Sequence, residues 1–319
     1  MIRILIALDG SSAAETAISH AIAIARTFSA QIELFRVVSE PPADSATPLD
    51  CVDWQLRRRQ AEIYLSRIAE SQQRKKLRVS WQLREGDAAQ EIIQRITEAE
   101  TDLLVMTRYG KGNAQQFDSG GTVHKVLSAS LASILLIDPM NHIDESSGYE
   151  QILVTVDDTQ RSEWAAGFAA MVAKANAGTL HLLRIVEEPK LPQGIALTSE
   201  SGRYLTQATR TSRTHAIRHL QNLSSRIDPG IKVTSSLLGS DNIPAAIEDV
   251  ANEIDADLLV IASPGAPLWN ARHYGLVCET LLSHAERPVL VLHSQASEQS
   301  SDHFRSVFLD DSQKRADAS

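Results

Sequence analysis

Asp102-Leu103-Leu104-Val105-Met106-Thr107-Arg108-Tyr109-Gly110 decides the reading of this 319-residue chain, because it returns as Asp257-Leu258-Leu259-Val260-Ile261-Ala262-Ser263-Pro264-Gly265. Each copy follows a stretch of helical spacing, runs as an apolar strand and breaks into a glycine-bearing loop. A repeat this long means two copies of one domain. Function is then to be sought in what the copies share and where they differ.

Working outward, the chain opens Ile2-Arg3-Ile4-Leu5-Ile6-Ala7-Leu8-Asp9-Gly10-Ser11, and the second copy opens Gln151-Ile152-Leu153-Val154-Thr155-Val156-Asp157-Asp158-Thr159. Both runs are apolar and end abruptly in aspartate and turn-forming residues. That is the profile of a strand buried on both faces of a parallel sheet. Alanine-rich segments with helical spacing follow at 12–28 and 160–175, then second strands at 31–38 and 179–186. Proline-marked loops come next, Glu40-Pro41-Pro42 and Glu188-Pro189-Lys190. Long helices are expected at 53–73 and 204–225, third strands at 77–83 and 231–238, and short helices at 90–99 and 244–254. Each copy closes with a helix and a strand, at 133–137 and 288–292.

Strands alternating with helices imply right-handed crossovers. The expected fold class is α/β, with two tandem domains, each an open parallel five-stranded sheet with helices on both faces. The domains span 1–140 and 150–293, joined by a polar linker, 141–149, that carries Ser146-Ser147-Gly148. Residues 294–319, rich in Ser, Asp and Gln, read as a disordered tail with a short apolar group in Phe304, Val307 and Phe308.

Composition sets bounds on function. Hydrophobic residues make up 43% and the net charge is -9. Two domains of about 150 residues each can bury their own cores. The acidic balance argues against nucleic-acid binding, which needs a basic footprint. Arg57-Arg58-Arg59 and Arg74-Lys75-Lys76 are local exceptions and read as a solvated helix face. The only two cysteines, Cys51 and Cys278, stand one in each half at unrelated positions, so there is no disulfide framework and no metal-type spacing. A reducing, cytoplasmic setting is expected. No signal peptide and no membrane span is read in the chain.

The chemistry is expected at the carboxyl ends of the strands, where open parallel sheets bind ligands at the switch in strand order. Asp9, the end of the second strand near Val37, and the loop Gly110-Lys111-Gly112-Asn113-Ala114-Gln115-Gln116-Phe117-Asp118-Ser119-Gly120-Gly121-Thr122 converge there. Glycines let a backbone approach a phosphate, and the helix that follows offers unpaired N–H groups and a partial positive charge. Thr122 falls where an N-cap hydroxyl belongs. On residue types alone, two readings stand: an anion-holding loop, or a polar loop closed by an ordinary capping threonine.

Both halves resemble the universal stress protein domain, and the whole resembles a tandem universal stress protein. The resemblance rests on Asp9 and Asp157 after the first strands, on the Asp-Leu-Leu-Val strands, and on the glycine loops. It implies the adenine-nucleotide alpha-hydrolase-like fold and ATP, with Mg2+, as ligand. In nucleotide-binding members the loop reads Gly, two residues, Gly, nine residues, then Gly-Ser/Thr. Here Thr107 replaces the first glycine and Gly110 matches the second. Gly121-Thr122-Val123 matches the close, after ten residues rather than nine. The resemblance then puts Asp9 and Val37 near adenine and ribose. It puts Gly110, Gly121, Thr122 and Val123 around the phosphates. It also implies pairing through the final strand, as a homodimer or an intramolecular pseudo-dimer, with a protein partner of unknown identity.

The second copy departs further. Ala262 replaces the first glycine, and Gly265 and Gly275 keep the spacing, but Leu276 stands where the hydroxyl belongs. Pro264 and Pro267 remove backbone donors, and Trp269 and His273 enter the loop. ATP binding is therefore expected mainly in the first domain. Other motifs are thinner. His215 and His219 share a helix face without a third ligand, and Asp157-Asp158 reads as a magnesium pair or as a strand-end turn. No nucleophile elbow or Walker loop is present. Three functions stay open: a regulatory protein holding adenine nucleotide, a nucleotide-independent scaffold, and a very slow ATPase that lacks a recognisable general base.

Overall fold

The computed structural model describes residues 1–39, 48–110, 121–130, 132–144, 148–186, 199–263 and 275–293. The first repeat runs β1 (Arg3–Ala7), α1 (Ser12–Phe28), β2 (Gln31–Val38), α2 (Pro48–Arg74), β3 (Arg78–Glu85), α3 (Ala88–Glu98), β4 (Leu103–Thr107), α4 (Thr122–Ala129) and β5 (Ser133–Ile137). The second runs β6 (Gln151–Thr155), α5 (Gln160–Ala175), β7 (Thr179–Val186), α6 (Ser199–Arg226), β8 (Lys232–Gly239), α7 (Ile243–Glu253), β9 (Leu258–Ser263), α8 (Gly275–His284) and β10 (Val289–His293). The alternation read from the sequence is the alternation found, and α1, β2, α5 and β7 keep their expected bounds. The long helices start earlier than their apolar spacing suggests, α2 at Pro48 and α6 at Ser199. Pro48 is accommodated because a first-turn residue needs no backbone donor.

Two compact units emerge. One holds residues 1–148 together with α8 and β10, and the other holds Tyr149–Ala262. In the first unit the strand order is β3-β2-β1-β4-β5-β10. β1 lies between β2 and β4, with Ile4 opposite both Ile32 and Leu103. That is the switch in strand order, since β2 follows β1 in the chain and β4 comes much later. In the second unit the order β9-β6-β7-β8 repeats the pattern, with Ile152 opposite both Leu180 and Leu258.

Local chemistry explains the elements. The Ser11 hydroxyl accepts from Ala14 N–H at 3.1 Å and caps α1. Asp87 caps α3 by accepting from Gln90 N–H at 3.0 Å. The many alanines of α1 and α5 are buried, so both helices sit close to their sheets. β4 and β5 are buried along their whole length, as apolar runs in the middle of a parallel sheet must be. The arginines of the basic runs on and beside α2 lie in ion pairs. Arg58 meets Glu62 and Glu85 at 3.6 and 3.4 Å, and Arg59 meets Glu62 at 3.0 Å.

The final strands of the two repeats stand side by side. β10, the last strand of the second repeat, pairs antiparallel with β5, Leu290 opposite Leu135. The physical reason is visible in β5. Ser-Ile-Leu-Leu-Ile left as an edge would present unpaired backbone beside apolar side chains. His293 N–H donates to the Ser133 hydroxyl at 3.2 Å, and Arg108 Nη2 donates to the Ala285 carbonyl at 2.5 Å. The Asn141 amide donates to the Glu286 carbonyl. Among the described residues no helix is long and apolar enough to cross a membrane.

Candidate functional site

The repeated motif splits between the two ends of the sheet. Its aspartate lies at the amino end, away from any ligand edge. Asp102 Oδ2 accepts from Arg3 N–H at 2.8 Å, and Asp257 accepts from Glu150 N–H at 2.6 Å and Gln151 N–H at 3.1 Å. These carboxylates start β1 and β6. Burial pushes the Asp257 carboxyl up to about 6, against the pull of those backbone donors. The glycine end of the motif, by contrast, lies at the carboxyl edge.

There Asp9 and Gly110 meet. β1 delivers Asp9 and β4 delivers Gly110, and the two strands are neighbours at the switch in order. The Asp9 carboxylate is held by Ser11, whose N–H and hydroxyl both donate to Oδ1, at 2.8 and 2.5 Å. Its Oδ2 lies so close to Gly110 that a Cβ there would overlap it. Gly110 is thus required by close approach and not by its backbone angles. Upstream, the Thr107 hydroxyl donates to the Tyr109 carbonyl at 3.1 Å and secures the entry to the loop. Arg108 is buried, and Tyr109 donates its hydroxyl to Asp138 at 2.7 Å.

Val37, one residue before the end of β2, is half-buried, beside Arg36 and opposite Arg84 of β3. Gly121, Thr122 and Val123 open α4. Here the structure corrects the sequence reading. Gly121 is the N-cap, in extended geometry with no side-chain acceptor, and Thr122 is the first helical residue, exposed. Glycine leaves the first N–H groups of the helix without a side-chain partner from the cap. Lys125 reaches Asp87 at 3.9 Å and ties α4 to the start of α3. Residues 111–120 of the loop, with the choice between Gly120 and Gly121 as its close, lie outside the described residues. So do Gly265, Trp269 and His273, and the tail 294–319.

The structure adds residues that the sequence reading missed. Arg36 lies over Gly10: a Cβ on Gly10 would stand 2.5–2.8 Å from the guanidinium. Gly10 has φ +81°, in the region glycine favours. The Arg36 guanidinium also stacks on the Tyr64 ring of α2, 5.2 Å from its centroid. Burial, then the nearby Glu15 carboxylate, raise the Tyr64 phenol above its ordinary value, with Asp9 adding to the effect and Arg36 opposing it. One signal pointed here. Arg36 and Arg184 hold the same place in the two second strands, Phe35-Arg36-Val37 and Leu183-Arg184-Ile185.

In the second unit the equivalent aspartate is held alike. Thr159 N–H donates to Asp157 Oδ1 at 2.8 Å, and the Thr159 hydroxyl donates to the same oxygen. Burial alone would raise the Asp157 carboxyl. The hydrogen bonds from Thr159 and Ser162 and the Arg184 charge outweigh it and bring it below the ordinary value. Asp158 stands where Gly10 does, and its carboxylate accepts from Arg184 Nη2 at 2.5 Å. His215 and His219 each face a separate carboxylate, Asp158 at 3.5 Å and Glu163 at 3.3 Å. They therefore do not converge on one point.

Comparison with known proteins agrees with this architecture. The universal stress protein family profile matches residues 1–138 and 148–293. A Staphylococcus aureus (strain USA300) protein named for the same family is 27% identical over 150 residues, 46% of this chain and 86% of its own. The crystal structure of a universal stress protein from Archaeoglobus fulgidus DSM 4304 aligns over 91% of this chain and 98% of its own, at 17% identity and TM-score 0.64. A Pseudomonas aeruginosa UCBPP-PA14 structure titled for the same family aligns over 96% of this chain and 97% of its own, at 16% identity and TM-score 0.65. These two structures share the fold along nearly the whole chain.

Proposed function

This chain belongs to the universal stress protein family, with two copies of the domain in one polypeptide, and on that premise we propose that it is a stress-response regulatory protein that holds ATP chiefly through its first domain. The observation that carries the reading is the contact between the Asp9 carboxylate and Gly110 at the switch in strand order. A parallel sheet opens a crevice for a ligand at that point. An aspartate fixed by two donors from one serine is a preorganised acceptor for a ribose hydroxyl or a base amine. Downstream, α4 begins at a glycine and leaves its amino-terminal N–H groups for a phosphate. ATP would arrive as its Mg2+ complex, with the metal on phosphate oxygens rather than in a protein cage.

The preference for the first domain rests on sequence and geometry together. In the second domain Leu276 replaces the hydroxyl-bearing residue at the head of α8, and Asp158 occupies the position of Gly10 and engages Arg184. A cytoplasmic setting fits the sparse, separated cysteines. A second reading, a scaffold that works without nucleotide, is favoured by Thr107: its hydroxyl closes on the Tyr109 carbonyl where family members that bind nucleotide carry glycine.

Mass spectrometry of the supernatant after denaturing the purified chain tests the two readings. ATP or ADP released near one equivalent supports nucleotide binding. Calorimetry with added ATP covers a protein purified empty. Neither released nucleotide nor heat of binding at millimolar ATP overturns the first reading in favour of the scaffold. Separated domains are the wrong material, because a cut near residue 140 removes β10 from β5.

A further inference from the structure

Arg36 and Arg184 are equivalent by position but differ in what they face. In the second unit Asp158 takes the Nη2 edge of Arg184 at 2.5 Å, and Arg184 Nε and Nη1 are closed off from solvent. In the first unit residue 10 is glycine. The Arg36 guanidinium lies in the space that a side chain at position 10 would take, and among the described residues no carboxylate stands within ion-pairing distance of it. Its face rests on Tyr64. Stacking orients a guanidinium without consuming its in-plane N–H donors, which remain available to an incoming oxyanion. The acids nearby are Asp9, already committed to Ser11, and Glu15 beside Tyr64.

A phosphate approaching this edge meets two carboxylates in a chain of net charge -9. Repulsion from Asp9 and Glu15 opposes it unless a cation is fixed among them. Of the other described cations nearby, Lys125 is drawn toward Asp87 and Arg84 is taken by Glu91 and Glu98. We propose that Arg36 is the charge-specificity residue of the first domain. In this reading Gly10 leaves its guanidinium free to pair with a phosphate group of the ligand, and Asp158 cancels the equivalent guanidinium in the second domain. The inference rests on nucleotide binding at this edge for the identity of the ligand, though its phosphate chemistry is tested apart from it.

The experiment is calorimetry on the full chain with three probes: ATP, adenosine and inorganic tripolyphosphate. Four proteins are compared: parent, Arg36→Gln, Gly10→Asp and Gly10→Asn, with circular dichroism to verify folding. Asparagine has the shape of aspartate and, like it, tolerates left-handed backbone, so the pair isolates the charge at position 10. Arg36→Gln is expected to weaken ATP and tripolyphosphate about tenfold while adenosine shifts less than about twofold, the scale of one lost hydrogen bond to a charged group. Both Gly10 variants bring a Cβ against the guanidinium and should lose affinity, but Gly10→Asp should lose clearly more than Gly10→Asn, because only aspartate pairs with Arg36. Adding Gly10→Asp to Arg36→Gln should cost little more, because the aspartate acts through the arginine. The proposal is overturned if Arg36→Gln leaves ATP and tripolyphosphate unchanged, if adenosine falls as far as ATP, or if the two Gly10 variants behave alike. A parent that binds tripolyphosphate through Arg36 but not ATP upholds the proposal and defeats the nucleotide reading. A parent that binds none of the three defeats both.

Discussion

Acid should loosen the first domain through His20. This side chain lies on α1 with none of its surface exposed, and its Nε2 stands 3.0 Å from the Asn141 carbonyl. Thr16, one turn earlier on α1, donates its hydroxyl to the Pro139 carbonyl at 3.3 Å. Together they seat the segment that leaves β5. Burial lowers the imidazole value from 6.5 to about 4; the Asn141 carbonyl opposes the shift and His142 adds to it. A base whose value is depressed on folding stabilises the native state fully only above its unfolded value. As pH falls below 6.5 the unfolded chain takes up a proton that the folded one refuses. Between pH 7 and pH 4.5 the loss comes to about 2 kcal/mol. His20→Gln removes the titration and keeps a donor for the Asn141 carbonyl. Denaturant midpoints followed by hydrogen exchange in α1 should therefore fall less steeply with acid in the variant, by about one proton. The direct assay is a proton NMR titration of the histidine ring signals. The signal that vanishes in His20→Gln should stay in its neutral position down to about pH 5. A midpoint near 6.5 for that signal would refute the reasoning.

Gly110→Val should abolish ATP and adenosine binding alike in calorimetry, because its Cβ displaces the Asp9 carboxylate itself. Thr122→Val should weaken ATP about tenfold and adenosine little, since the hydroxyl stands exposed at the head of α4 where a phosphate would lie; equal losses would move Thr122 away from the phosphates. Arg108→Ala should cost about 3 kcal/mol in denaturant unfolding, because it strips a buried donor from the Ala285 carbonyl and a charge from Asp138, whereas an exposed Arg57→Ala should cost less than about 0.5. Asp102→Ala should lower the stability of the first domain by about 1–3 kcal/mol and leave nucleotide affinity intact, because the Arg3 N–H it serves lies at the amino end of the sheet.

That last contrast explains what the sequence made legible. The Asp-Leu-Leu-Val repeat announces the fold because its aspartate and its buried strand do fold work, starting β1 and β6 and filling the sheet. Most strand and helix bounds followed from periodicity, which reports burial one element at a time, while the starts of α2 and α6 did not. Asp9 and Gly110 were legible for a different reason: a strand that ends in a charged residue or a glycine places it at the carboxyl edge whatever the rest of the chain does. Arg36 and Tyr64 were not legible, because their meeting depends on the approach of β2 to α2 and on the missing side chain at Gly10, and no local pattern encodes either. Pairing through the final strand was implied by the family resemblance and by no local pattern, since an apolar run specifies burial but not the direction or identity of its neighbour. Thr122 shows the finest limit. A threonine before a helical run resembles a cap, yet the preceding glycine took that place, and one residue of phase turned an expected cap into an exposed hydroxyl at the head of α4. That shift makes a ligand role for Thr122 more testable, because a hydroxyl not occupied in capping its own helix is one whose loss reads out on the ligand alone.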